Sequence, residues 1–195
     1  MTEGDGRGKQ LVQGLLEDGF CVVPGVLPMV TFAESPVYFV LLMLAIPWWQ
    51  SIHFYWVHRL THWRPLYKAV HYLHHKNVNP GPWSGLTMHP IEHLFYFSCV
   101  LLHWVVPSHP LHAIHNLMNA GISPVPGHTG FSKLEVGDDH ALEYGGYFHY
   151  LHHKYFDCNY GGSSIPWDKW SGSFFDGSKE SEEQMQARRR QLKAK

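Results

Sequence analysis

Two long runs without Asp, Glu, Lys or Arg dominate the polarity pattern of this chain. The first extends from Ser35 to His58, and its apolar part reads PVYFVLLMLAIPWWQSIHFYWV. A helix needs about 20 apolar residues to cross a bilayer, so this run predicts one crossing. Pro47 predicts a kink within it, and Trp48, Trp49, Tyr55 and Trp56 suit the aromatic belt at a membrane interface. The second run extends from His93 to Ser132, and Pro107 and Pro110 divide it into LFYFSCVLLHWVV and LHAIHNLMNAGISPV. Each half is shorter than a standard span, which predicts a tight or re-entrant hairpin. The expected fold class is all-α, a membrane-embedded helical bundle beneath a histidine-rich cap.

The flanks set the orientation and the domain boundaries. If the first run crosses once and the second enters and returns, residues 58–90 and 128–195 share one side. Those segments carry most of the Lys and Arg, including Arg188, Arg189 and Arg190, whereas the N-terminal segment leans acidic. An excess of cations marks the cytoplasmic face, so the cap is expected to be cytosolic. Residues 1–34 read as a leader of unknown role, 35–177 as the main domain, and 178–195 as a charged tail forming a solvated helix. Within the leader, LVQGLLEDGFCVVPGVLP resembles the opening helix and strand of phytanoyl-CoA-dioxygenase-like proteins. No His-x-Asp motif with a distal histidine follows, so that activity is not assigned. The first residues are polar and acidic, unlike a signal peptide.

Composition changes the picture at one point. Charged residues make up 16% of the 195, and the formal net charge is -1, so nothing points to a nucleic-acid partner. Histidine is the outlier, with 17 copies against 15 Lys and Arg together. Imidazole is the commonest metal ligand, so function is sought there. Cys21, Cys99 and Cys158 are far apart and form no CxxC pair, which predicts plain thiols in a reducing compartment.

The histidines cluster in three boxes. HRLTH gives His58 and His62; HYLHH gives His71, His74 and His75; a second HYLHH gives His149, His152 and His153. Offsets of three and four place the imidazoles of one box on one helical face. Eight imidazoles exceed the needs of one ion, since a catalytic zinc takes about three protein ligands. Two metals account for the number better. Nitrogen ligands suit iron, zinc, copper or nickel, so ligand type does not choose among them.

The segment HRLTHWRPLYKAVHYLHHKNVNPGPWSGLTMHPIEH resembles the first two boxes of the sterol desaturase / fatty acid hydroxylase superfamily. HYLHHKYFDCNYGGSSIPWDKWSGSFFDG resembles its third box with the motifs that follow, and the likeness covers about residues 53 to 177. PGHTGF resembles the segment carrying a further ligand, which maps to His128. The resemblance implies a four-helix membrane bundle with a cytosolic cap and a di-iron centre. It also implies O2-dependent hydroxylation or desaturation of a lipid entering from the bilayer, with hydrogen abstracted from an unactivated C–H bond. MHPIEH resembles the HPxE or HPxD of sterol-type members, which favours a sterol-like substrate over a fatty acyl one. With no GxGxxG fingerprint in the chain, electrons are expected from a carrier such as cytochrome b5 or a ferredoxin with its reductase. The membrane is expected to be endoplasmic reticulum in a eukaryote and the inner membrane in a bacterium.

Two departures from the family pattern set further expectations. Members usually carry a transmembrane hairpin before the first box, where this chain has room for about one crossing. Pro124 stands where some fatty acid hydroxylases have a second histidine before His128, which favours nine ligands over ten. His89 and Glu92 have two readings: outer partners that orient a ligand histidine, or a helix-start motif with Pro90 in the first turn. His53, His93, His103, His109, His112, His115 and His140 are assigned to packing or interfacial positions. Trp167, Asp168 and Trp170 are assigned to fixing the cap. The competing functions are a metal-binding membrane protein without redox activity, such as a zinc transporter or chaperone, and an inactive partner subunit. The boxes flank the apolar runs instead of lying inside them, which favours the enzyme.

Overall fold

The computed structural model describes residues 29–136, 140–143 and 145–193. Most of the leader, residues 1–28, lies outside them. The first apolar run forms one helix, α1 (Pro36–Thr61), which continues through Pro47 without ending there. At about 1.5 Å per residue its 26 residues extend about 39 Å, more than the roughly 30 Å of hydrocarbon in a bilayer. Among the described residues it is the one helix long and apolar enough to cross, and only 11% of its apolar window is buried.

The chain then turns through α2 (Arg64–Leu66), a wide π turn at Tyr67–His71 and the single turn α3 (Tyr72–His75). The second apolar run is a helical hairpin. Its descending arm is α4 (Pro90–Phe97) continued by a 3-10 stretch at Ser98–Trp104, and its ascending arm is α5 (Pro110–Ile122). A 3-10 helix rises about 2.0 Å per residue, so the descending arm reaches about 26 Å, longer than its residue count suggests. Its tip meets the start of α1: the Tyr38 hydroxyl donates to the Pro107 carbonyl at 2.9 Å, and His112 Nε2–H to the Phe39 carbonyl at 2.9 Å. The hairpin therefore runs as deep as α1 instead of stopping short of it.

These apolar segments are inverted relative to a water-soluble bundle. Helix α5 buries His112, Asn116 and Ala120 and exposes Leu111, Ile114, Leu117, Met118 and Ile122. Helix α1 likewise buries Gln50 while Val37, Leu41, Leu44 and Trp48 face out. The buried polar groups bind the arms together, since Trp49 Nε1 and Asn116 Nδ2 both donate to the Cys99 carbonyl, at 2.8 and 3.2 Å. Polar within and apolar without suits a hydrocarbon surrounding, where each unmet polar group is costly. The resemblance implied four membrane helices; the described residues supply α1 and the two arms of the hairpin.

The cap follows. A short α6 (Pro124–Gly127) leads to an antiparallel pair, β1 (Lys133–Val136) and β2 (His140–Glu143), with Lys133 opposite Glu143. Among the described residues this hairpin is the one departure from an otherwise helical architecture, and the polarity pattern did not predict it. Then come α7 (Gly146–Tyr155), α8 (Trp167–Trp170) and α9 (Lys179–Lys193). The tail is a helix, as expected, but not fully solvated. Met185 packs with Leu151, Cys158 and Phe175, and the Arg189 guanidinium grips the Asp157 carboxylate at 2.7 and 2.8 Å. Arg188 donates to the Gly172 and Asp157 carbonyls.

Candidate metal centre

The end of α1, the α3 turn, the α6 loop and α7 bring nine imidazoles together. His58 and His62 close α1, His71, His74 and His75 lie at and after the π turn, His128 follows α6, and His149, His152 and His153 line α7. Ligand-capable atoms of His58, His62, His71, His75 and His152 lie within 4.8 Å of one another, and so do those of His74, His128, His149 and His153. All nine residues predicted as ligands are thus brought into two groups. Each HYLHH box is split between them. His71 and His75 join the five-membered group while His74 turns to the other; on α7, His149 and His153 join the four-membered group while His152 crosses over. Sequence spacing predicted a shared face for each box but not this interleaving.

Hydrogen bonds on the far side of the rings decide which nitrogen is free. A carbonyl only accepts, so each ring nitrogen facing one carries the proton. His58 Nδ1–H donates to the Tyr160 carbonyl at 2.6 Å, and His152 Nδ1–H to the Cys158 carbonyl at 2.6 Å. His74, His128 and His153 donate in the same way to the carbonyls of Thr87, Pro124 and Asn77, at 3.2, 2.7 and 3.0 Å. His71 Nδ1–H donates to a Glu92 carboxylate oxygen at 2.5 Å. With the ring proton held at Nδ1, Nε2 is the nitrogen left to coordinate.

Those nitrogens converge. His62 Nε2 lies 3.0 Å from His71 Nε2 and 3.1 Å from those of His75 and His152; His128 and His149 meet at 3.2 Å. A single N–H on His62 could serve only one of its three neighbours, so the remaining lone pairs repel unless a cation stands between them. With metal–imidazole bonds of about 2.1 Å, adjacent ligand nitrogens in octahedral geometry are about 3.0 Å apart, close to what is seen. His58 Nε2 and His153 Nε2 are buried with no hydrogen-bond partner among the described residues. The donor set therefore fits two first-row metal ions.

Electrostatics agrees. Burial, reinforced by neighbouring imidazoles, lowers His62 to about 2 and His153 to about 3, and pushes His74, His75, His149 and His152 down as well. Rings that resist protonation are ready ligands at neutral pH. By contrast, burial pushes the Cys158 thiol up to about 12, so it stays protonated.

The outer partners include residues that spacing did not reveal. Asp168 is buried and accepts the backbone N–H groups of Tyr160 and Gly161 and the Ser173 hydroxyl, at 2.9, 2.8 and 2.6 Å. It fixes the loop whose Tyr160 carbonyl orients His58, as its assignment to the cap anticipated. Trp167 stacks on Tyr55 with ring centres 5.3 Å apart, tying that loop to α1. Gly146 starts α7 hard against the α6 loop, where a Cβ would lie 2.6 Å from Thr129 Oγ1 and 2.7 Å from the Pro126 carbonyl. That close approach seats His128 beside His149.

His89 and Glu92 separate. Glu92 orients His71, whereas His89 accepts the Ile91 N–H through Nδ1 as the N-cap of α4 and joins neither cluster. The outer-partner reading of His89 is corrected accordingly, because its ring caps a helix. Among the histidines assigned to packing, His109 caps α5, His53 contacts the Ser98 hydroxyl at 2.9 Å, His103 contacts that of Ser108 at 2.9 Å, and His93 stacks on Phe97. His112 is wholly buried and His115 partly so. His140 lies in β2.

A cavity of about 370 Å³ leads from the clusters into the apolar bundle. At its head lie His58, His71, His74, His128 and His149; further along α1 it is lined by Phe54, Ser51, Gln50 and Pro47. Its size falls within the range of small-molecule sites.

Paired imidazole clusters at the mouth of a bundle cavity form a histidine-box site suited to metal binding. The chain belongs to the fatty acid hydroxylase family, whose family model matches residues 40–173. It is 31% identical over 116 residues to a Delta(7)-sterol 5(6)-desaturase of Gibberella zeae, covering 55% of this chain and 33% of that protein. The Delta(7)-sterol 5(6)-desaturases of Leptosphaeria maculans and Candida glabrata are 30% and 32% identical, over 62% of this chain and 33% and 32% of theirs. The chain thus spans about a third of the length of these curated relatives. No solved structure matches it significantly.

Proposed function

We propose that this protein is a membrane-embedded oxygenase that desaturates or hydroxylates a lipid, a sterol-type substrate being favoured, at two iron ions held by the nine histidines. The observation that carries this reading is the convergence of nine imidazoles in two groups at the head of a cavity opening among apolar helices. The names of the relatives support the sterol preference. Iron bound there supplies dioxygen activation and one-electron chemistry that side chains lack.

The chain's own residues do the rest. His58, His62, His71, His75 and His152 would hold one ion; His74, His128, His149 and His153 would hold the other. Glu92 and the backbone carbonyls hold the Nδ1 protons of His58, His71, His74, His128, His152 and His153 and direct their Nε2 atoms inward. Phe54 and Val57 present an apolar wall beside His58, which excludes water and positions a C–H bond. Electrons come from a separate carrier such as cytochrome b5 or a ferredoxin with its reductase. The cap faces the cytoplasm, in the endoplasmic reticulum of a eukaryote or the inner membrane of a bacterium.

The full chain, purified in detergent, tests this by metal analysis and by oxygen uptake with reductant and candidate lipids. Two irons per chain and uptake that depends on a Delta(7)-sterol or fatty acyl lipid are expected. One zinc and no uptake would overturn the reading.

A further inference from the structure

Gln50 stands in the middle of α1, inside a run without charged residues, and is only 4% exposed. Both its Nε2 and Oε1 are buried and make no hydrogen bond with any described residue. Tyr96 lies beside the amide, but its hydroxyl donates to the Ala120 carbonyl at 2.8 Å and forms no bond of acceptable geometry with Gln50. An unmet primary amide in an apolar setting is strongly unfavourable, because its lost water bonds are not replaced. Leucine would fill the same space without that cost.

The amide lies on the wall of the cavity that leads to the imidazoles. Ser51, Asn119 and Ser123 add further uncharged polar groups to the lining, alongside the apolar Phe54 and Val57, and the Tyr96 hydroxyl beside Gln50 lies 3.3 Å from Ser123 Oγ. Gln50 is eight residues before His58, about 12 Å along the helix axis. The cavity therefore has a metal-binding end and an uncharged end that both donates and accepts hydrogen bonds. A hydroxyl group matches the second end, since it too donates and accepts. A carboxylate or phosphate does not, because no Lys or Arg among the described residues lines the cavity to balance its charge.

We propose that Gln50 and the polar groups beside it form a subsite for the hydroxyl of a lipid alcohol, anchoring the substrate by its polar end while the carbon to be oxidised lies below the imidazoles. This inference rests on the lipid-oxygenase reading and adds the recognition element. A hydroxyl bound here leaves neither amide atom unmet. A lipid whose oxygen is capped as an ether accepts one bond and leaves the carbonyl of Gln50 without a donor, so the buried site selects against it.

The test uses the full, iron-loaded chain in detergent and two matched probe pairs: cholest-7-en-3-ol with its methyl ether, and a long-chain fatty alcohol with its methyl ether. Dissociation constants are measured by competition against the labelled alcohol of each series. The wild-type chain should bind one alcohol about tenfold or more tightly than its ether. Gln50→Leu should retain two irons and bind the ether as well as before, while the alcohol weakens to match it. Equal binding of alcohol and ether by the wild type would overturn the subsite whatever the variant does, and so would an alcohol preference that survives in Gln50→Leu. Those outcomes leave the oxygenase reading standing. Failure of every probe to bind would remove both the subsite and the lipid substrate it rests on.

Discussion

The two imidazole clusters differ in how they are held. In the five-membered group His71 is backed by the Glu92 carboxylate, and His58 and His152 by carbonyls of the loop that follows α7. In the four-membered group every outer partner seen is a neutral backbone carbonyl, from Thr87, Pro124 and Asn77. Exposure to the cavity runs the other way, with three of the four but two of the five on its wall. A carboxylate behind an imidazole raises its basicity and firms its grip on a cation. The first group is thus the more strongly donating, and the second is the more open to a bound molecule.

The most severe break of this comparison is removal of one ligand from either side. His152→Ala should lower metal content from two ions per chain to about one, and so should His149→Ala, each with about a 10³-fold or greater loss of oxygen uptake. Metal analysis checks both. If either variant kept two ions, the division into five and four would be wrong. His112→Ala is the contrast: its ring holds the hairpin to α1, so the melting temperature should fall while two ions remain.

Acid should act on both groups together. His62 in one and His153 in the other are lowered to about 2 and about 3, whereas an unfolded histidine titrates near 6.5. Between those values the unfolded chain binds more protons than the folded chain, so stability is lost as pH falls below about 6.5; above it, these groups add no pH dependence. Melting of the metal-free chain at pH 7.5 and pH 5 should show a fall, and the loaded chain should release both ions over the same range. Selective release of one ion would show that the groups are not equally shielded.

Glu92→Gln sharpens the difference at smaller cost. It should weaken iron binding about 10–100-fold in the five-membered group and leave the other unchanged, as site-resolved Mössbauer spectra would reveal. The smallest effect is expected at the tail. Arg189→Ala removes a pair that is about a third exposed, so it should cost about 1 kcal/mol or less and leave both ions in place. Thermal melting with metal analysis checks it.

Eight of the nine candidate ligands were legible because helical spacing is written in the sequence, the ninth, His128, only through the resemblance of PGHTGF to the family's segment, and the apolar runs because charge is absent from them. Three other features were hidden, for different reasons. The outer partners of His58, His74, His128, His152 and His153 are backbone carbonyls, which every residue possesses, so no side chain announces them. The splitting of each box depends on where α7 meets the α3 turn, a long-range packing outcome. The depth of the hairpin depends on the 3-10 stretch at Ser98–Trp104, which gains length without adding residues. Gln50 was visible as the one amide in its run, but its significance depended on finding no partner for it.

The π turn at Tyr67–His71 has a consequence best put as a matter of phase. A π turn holds one residue more than the α-helical turn it replaces, so it works as a built-in insertion. Wound as an ordinary α-helix, the same residues would carry that extra residue forward instead of absorbing it in one wide turn. The following HYLHH would then rotate by about 100°, the angular step of one α-helical residue. His71 would leave Glu92, and His74 would lose its place opposite His153. The letters of the box would be unchanged and its meaning lost, much as a message survives a frameshift letter by letter but not word by word.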